Sequence, residues 1–229
     1  MPESHPILDR VALLGFAILW TTATLHGLRG LGPDLDGPTA VVASLVAALG
    51  AYLLADLLAG LTHWLADRFF REDTRWIGPL LIAPFREHHT DPGSIARHDF
   101  ATVSGNSALA TAPLAVALRL LPEPANVPAL ALFVFGNVLT LALFLTNLFH
   151  RWAHAPRRPP FVRWLHRTGL ILTPERHARH HRGDHDCAYC VTSGWLNPLL
   201  DGLGVFPRLE RLLRARGRHA CETREHEAR

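Results

Sequence analysis

Eight histidines fall in four short groups whose spacing suits metal binding: His63 with Asp67, His88-His89, His150-x-x-x-His154 and His177-x-x-His180-His181. Neutral imidazole is the commonest side-chain metal ligand, and a short His-rich tract reads as a metal site. On a helix, partners three or four residues apart point the same way, so each such pair can grip one ion. Adjacent histidines diverge by about 100 degrees, so one of the two can reach a second ion. Eight imidazoles exceed what one tetrahedral zinc needs. They suit two irons with open positions, which take roughly eight or nine protein ligands between them. His98 and His185 are next in line as ligands. Asp67, Asp99 and Asn147 are candidates to orient a ligand or to add one.

Each group also has a bland reading. His63 could cap a membrane helix at the interface. His150-Arg151-Trp152-Ala153-His154 could be an interface anchor, His88-His89 a loop surface, and His177 to His185 a solvated basic loop. Cys187-x-x-Cys190 beside His185 could hold zinc, but a second cysteine pair is missing. What decides between these readings is whether the four groups can meet.

Composition sets the frame. The 229 residues are 48% hydrophobic and 19% charged, with a mean hydropathy of +0.12. That fits one small multi-pass membrane domain better than a soluble enzyme. All 23 basic residues are Arg, which reads as codon bias in a GC-rich, bacterial genome. A formal charge of +3 gives no footprint for nucleic acid. Fifteen His is the outlying count. Three Cys make no disulfide framework and argue against an oxidising, secreted setting.

Apolar runs place the groups. Residues 11–28 read as a first membrane helix, since no strongly basic stretch or small-x-small cleavage site marks a signal peptide. Residues 39–61 form a second span carrying one charge, Asp56, which shares a helical face with His63 and Asp67. A buried charge there points to a polar site or to a hydrogen bonder in helix packing. Residues 68–104 are polar and broken by Trp76, Pro79, Pro84 and Pro92. Residues 105–121, with Pro113, are a third span or a re-entrant piece, and 128–149 are the clearest span. Asn147, His150 and His154 share a face at the end of that last run. The Arg- and aromatic-rich stretch after it suits the membrane interface. The expected fold is all-α: a bundle of about four spans with a cytoplasmic His-rich, metal-binding cap. Residues 1–207 form the membrane domain and 208–229 a charged, flexible tail.

Four spans put the loops at 29–38 and 122–127 on one side, where Arg29 and Arg119 are the only Arg residues. The positive-inside rule makes the other side cytoplasmic, with both termini and every clustered His. A bacterial inner membrane is the expected location. The four groups can then converge.

The residues also resemble a known family, the lipid desaturases of the Kua/CarF type. The likeness rests on Gly60-x-x-His63-Trp64-x-x-Asp67, Pro84-Phe85-Arg86-Glu87-His88-His89-x-Asp91-Pro92, Ile95-x-Arg97-His98-Asp99-Phe100, His150-x-Trp152-x-His154, His177-x-x-His180-His181 and Tyr189-Cys190-Val191-Thr192-x-Gly194-Trp195-Leu196-Asn197. The family includes plasmanylethanolamine desaturase and a plant plastid desaturase acting on phosphatidylglycerol. The resemblance implies a histidine-ligated di-iron site that uses oxygen. In the ether-lipid branch an acidic residue and an Asn-Gly-Asp-Asn run follow His-Asp-Phe, where this chain reads Thr102 and Ser104-Gly105-Asn106-Ser107. That branch also has His at Gly169 and a His pair at Arg176-His177.

The expected activity is therefore oxygen-dependent, di-iron desaturation of a membrane phospholipid chain, with vinyl ether formation from plasmanylethanolamine leading. The alternatives are an acyl-chain desaturase on phosphatidylglycerol and a lipid hydroxylase on the same scaffold. A metal transporter or sensor is the rival from another class, but it would place ligands near the middle of its spans. A non-catalytic membrane adaptor is a third. The electron donor is external, ferredoxin- or cytochrome b5-like. Arg86 and Arg97 could meet the lipid phosphate or pair with Glu87 and Asp99.

Overall fold

Helices account for every regular element among the described residues, which are 6–32, 35, 37–75, 77–78 and 82–215 of a computed structural model. Pro33, Trp76, Pro79 and residues 216–229 of the charged tail lie outside them. The order is α1 (Pro6–Arg29), α2 (Pro38–Arg68), α3 (Ala83–Thr90), α4 (Ser94–Arg97), α5 (Phe100–Leu120), α6 (Val127–His154), α7 (Pro160–Thr168), α8 (Pro174–His177) and α9 (Asn197–Gly202), then α10 at 205–215.

α1, α2, α5 and α6 are each long and apolar enough to cross a membrane. They pack as a row: α1 on α5, α5 on α6, and α6 on α2. Small residues set the spacing, as lipid tails give helices no hydrophobic reason to associate. Ala12 and Phe16 of α1 meet Ala108 and Ala115 of α5. Gly27 lies under Phe133, where a Cβ would come within 2.0 Å of the ring. Ile7, Val11, Leu14 and Ile18 of α1 and Val42, Leu45 and Leu49 of α2 face outward. An apolar surface of that extent is stable only under lipid.

Length explains where the ligands sit. α2 has 31 residues and α6 has 28, roughly 46 and 42 Å at helical rise, against a hydrocarbon core of about 30 Å. Both overshoot a bilayer, and both carry their histidines at the C-terminal end. The connectivity brings those two ends to the same side.

α5 settles the third span. It starts at Phe100, five residues before the apolar run, because the Asp99 carboxylate caps it by accepting from the Thr102 amide at 2.8 Å. Its first turns read as polar in sequence, but Ser104, Gly105 and Ser107 face neighbouring helices and are buried. Pro113 lies on the exposed face. α7 buries Val162 and exposes Phe161 and Trp164 beside Arg163 and Arg167. That pattern suits a helix lying in the interface. α10 returns to α2: Glu210 takes two hydrogen bonds from Arg68 at 2.9 and 3.1 Å, and Phe206 packs on Trp64 and Tyr189.

Candidate metal centre

Nine side chains from α2, α3, α6 and the segment after α7 meet in two adjoining groups. His88, His150, His154, His177 and His181 form one, and His63, Asp67, His89 and His180 the other. Within each group the candidate ligand atoms lie within 4.8 Å of one another. The two neighbouring pairs divide between them: His88 and His181 go to the five-histidine group, His89 and His180 to the group with Asp67. Their side chains diverge as helix and turn geometry requires. The i,i+4 partners stay together, His63 with Asp67 and His150 with His154.

The five-histidine group cannot be explained by hydrogen bonding among its members. His177 Nε2 lies 2.8 Å from His150 Nε2, 2.8 Å from His154 Nε2 and 2.9 Å from His181 Nε2. His150 and His154 Nε2 are 3.3 Å apart. One nitrogen has one proton or one lone pair for such contacts, so three close neighbours leave lone pairs facing one another. A cation between them removes the conflict.

The second group makes the same case differently. Asp67 Oδ2 faces the Nε2 atoms of His63, His180 and His89 at 3.4, 3.5 and 3.8 Å, and His89 and His180 Nε2 are 3.0 Å apart. Both Asp67 oxygens are buried without a hydrogen-bond partner, as are His63 Nε2 and His88 Nε2. Buried polar atoms are almost always paired, and these atoms would be satisfied by a bound cation. The donor set of eight imidazoles and one carboxylate fits iron.

Backbone carbonyls fix two tautomers. His63 Nδ1 lies 3.2 Å from the Tyr189 carbonyl and His180 Nδ1 lies 2.8 Å from the Cys187 carbonyl. A carbonyl only accepts, so both Nδ1 atoms carry the proton and both Nε2 atoms offer a lone pair. Burial, then the neighbouring imidazoles, also keeps the ligands neutral. His88 is pushed down to about 2, His89 and His180 to about 3, and His181 to about 4. His177 is held well below its usual range for the same reasons.

All eight ligand candidates and Asp67 are thus brought together. His185 lies outside both groups but stacks on His89 at 4.2 Å between ring centres. His98 lies outside them too, with its carbonyl accepting from Arg151 Nε at 3.0 Å. Asp99 caps α5, and Asn147 donates to Ser107 Oγ at 2.9 Å. Cys187 and Cys190 belong to neither group, and Cys190 is buried against Gly60. Arg97 pairs with Asp91, not Asp99, and Arg86 donates to the Phe70 carbonyl. A cavity of about 970 Å³ opens beside Asp67 and His89, lined also by Arg68, Glu72, Arg86, Glu87, Asp184 and His185. None of the five histidines of the first group lines it.

The sequence offered the loop at 187–197 a cysteine pair for zinc and a stretch of family likeness, but not the part its backbone plays. Its carbonyls orient two candidate ligands, and Asp56 holds it. Asp56 Oδ1 accepts from the amides of Thr192, Ser193 and Gly194 at 3.1, 2.8 and 3.0 Å, and Oδ2 from Leu196 at 3.2 Å.

A helical membrane protein with a paired histidine centre at one end of its spans is the class that fold and site define. The chain belongs to the lipid desaturase domain family, whose model matches residues 52–223. It is 37% identical to plasmanylethanolamine desaturase of Myxococcus xanthus, over 74% of this chain and 60% of that protein. It is 38% identical to mouse plasmanylethanolamine desaturase 1, over 70% of this chain and 61% of that protein. With Arabidopsis thaliana chloroplastic fatty acid desaturase 4 it shares 34% over 72% of this chain and 50% of that protein. The chain therefore matches about three fifths of the length of the first two relatives. No solved structure matches it.

Proposed function

We propose that this protein is an oxygen-dependent lipid desaturase that forms the vinyl ether bond of plasmenylethanolamine from plasmanylethanolamine. The observation carrying this reading is the meeting of nine neutral or anionic ligand groups in two sets at the ends of membrane helices. Dioxygen is the oxidant, and an iron pair held there would supply the oxygen chemistry needed to remove two hydrogens from adjacent, unactivated carbons, which acid–base side chains at ordinary pKa values cannot do. Overall, one dioxygen, two electrons from an external donor and two protons are consumed, and one double bond and two waters result.

The chain's own residues do the rest. His88, His150, His154, His177 and His181 would hold one ion, and His63, Asp67, His89 and His180 the other. The carbonyls of Cys187 and Tyr189 hold His180 and His63 in the Nε2-ligating form. The burial of His88, His150 and His177 would keep bulk water from an ion held by that group, while the charged cavity leaves the Asp67 group open to water. The lipid chain enters between spans, and the His face lies in the cytoplasm of a bacterium, below its inner membrane.

An acyl-chain desaturase is the second reading, favoured by the likeness to chloroplastic fatty acid desaturase 4 and by Gly169. Arg176 donates to the Gly169 and Ser193 carbonyls at 3.0 Å each, so this corner is built differently from one carrying histidines. Expression in a host lacking plasmalogens, supplied with alkyl ether lipid, separates the readings. Acid-labile vinyl ether lipid is expected. New trans unsaturation in acyl chains would move the substrate to the second reading. A hydroxylated lipid without a new double bond would make the protein a hydroxylase. Neither kind of unsaturation, from iron-loaded protein, would sink both desaturase readings.

A further inference from the structure

We infer that Asp56, two helical turns below His63 and inside the span, is a positioning residue for the metal site that contains Asp67. The inference rests on the metal-binding reading above. Asp56 is fully buried, and its carboxylate accepts four backbone amides from one loop, residues 192–196. Both oxygens of the carboxylate are thereby used as acceptors, and all four donors come from the loop. The anchored loop runs directly into the two carbonyls that set the site. Tyr189 holds His63, Cys187 holds His180, and the Asn197 side chain clamps Cys190, the residue after Tyr189, by accepting from its backbone amide and donating to its carbonyl, at 2.8 and 3.0 Å.

Register on α2 makes this a single device. Asp56, Gly60, His63 and Asp67 follow one another at helical spacing on the face that meets the loop. Gly60 lets Cys190 come so close that a Cβ would lie 2.6 Å from its Sγ. Asp56 thus fixes the loop against the same helix that carries His63 and Asp67, so the carbonyls and the imidazole they orient share one frame. The five-histidine group has no ligand whose Nδ1 is bonded to this loop among the contacts described. Outer partners of this kind are worth about 10- to 100-fold in metal affinity.

The asymmetry gives the test. Purified full-length wild type and Asp56→Asn are loaded with iron, and stepwise metal release is followed by elemental analysis and by Mössbauer spectra of the two iron environments. Asn keeps one acceptor oxygen but turns an NH₂ toward an amide donor. Selective loss is expected, with affinity at the Asp67 site falling at least about tenfold and the other environment retained. Equal loss at both sites would show that Asp56 merely holds the fold, and unchanged affinity at both would show that the loop orients nothing; each overturns the inference. Should the variant fail to fold, amide exchange in metal-free wild type decides. Slow exchange at Thr192 to Gly194 supports the anchor, and exchange as fast as in exposed loops overturns it. Wild type that binds no iron removes the metal reading itself, and the inference with it. Wild type with two irons beside an unaltered variant leaves that reading standing.

Discussion

α2 carries two buried carboxylates eleven residues apart, and they do opposite things. Asp56 has four amide donors on its oxygens. Asp67 has none, and it faces three imidazole nitrogens instead. The first is satisfied by protein alone and acts on the site only through the loop it anchors. The second has no protein donor and, on the proposed reading, would be satisfied by a cation. Burial does not separate these roles; the accounting of hydrogen-bond partners does.

Removing each carboxylate should therefore affect different measurements. Asp56→Ala strands four buried amides, at about 1 kcal/mol or more each. We expect the metal-free protein to lose about 4 kcal/mol of stability, read from denaturation in detergent; a loss under 1 kcal/mol would mean water or another group replaces the carboxylate. Asp67→Ala should leave metal-free stability unchanged or higher, because it removes a buried carboxylate that has no hydrogen-bond partner. Desaturation should fall at least about 100-fold, as a ligand is lost and not merely its outer partner. Retained activity there would end the claim that Asp67 is a ligand.

Gly60→Ala sharpens the comparison from the loop side. The added Cβ meets Cys190 backbone atoms at 3.2 Å as well as its sulfur, so overpacking of about 1–3 kcal/mol is expected. Its profile should follow Asp56→Ala, with stability lost before metal. His185→Ala should be the mildest. Its ring stacks on His89 but joins neither ligand group, so a stacking loss of about 1 kcal/mol, or a few-fold in activity, is expected. A fall as steep as that of Asp67→Ala would make His185 a ligand.

Much of this was legible in the chain. Apolar runs located the helices because lipid leaves the backbone no alternative to internal hydrogen bonding. The i,i+4 pairs could be read because helical spacing alone puts their side chains together. The start of α5 was not legible, since Ser104 and Ser107 look like loop residues until α6 supplies Asn147 for one of them. The same sequence-based face argument grouped Asp56 with His63 and Asp67, and periodicity could not say which of the three meets the loop amides.

The sequence by itself determined the candidate ligand types, their spacing and the apolar helices that carry them, because those follow from local geometry and hydropathy. Only the tertiary structure decided how the nine side chains divide. His88 parts from His89 and His180 from His181 because segments far apart in sequence approach from different directions. It also decided which nitrogen of His63 and His180 is free, since that depends on carbonyls more than a hundred residues away for one and across a turn for the other.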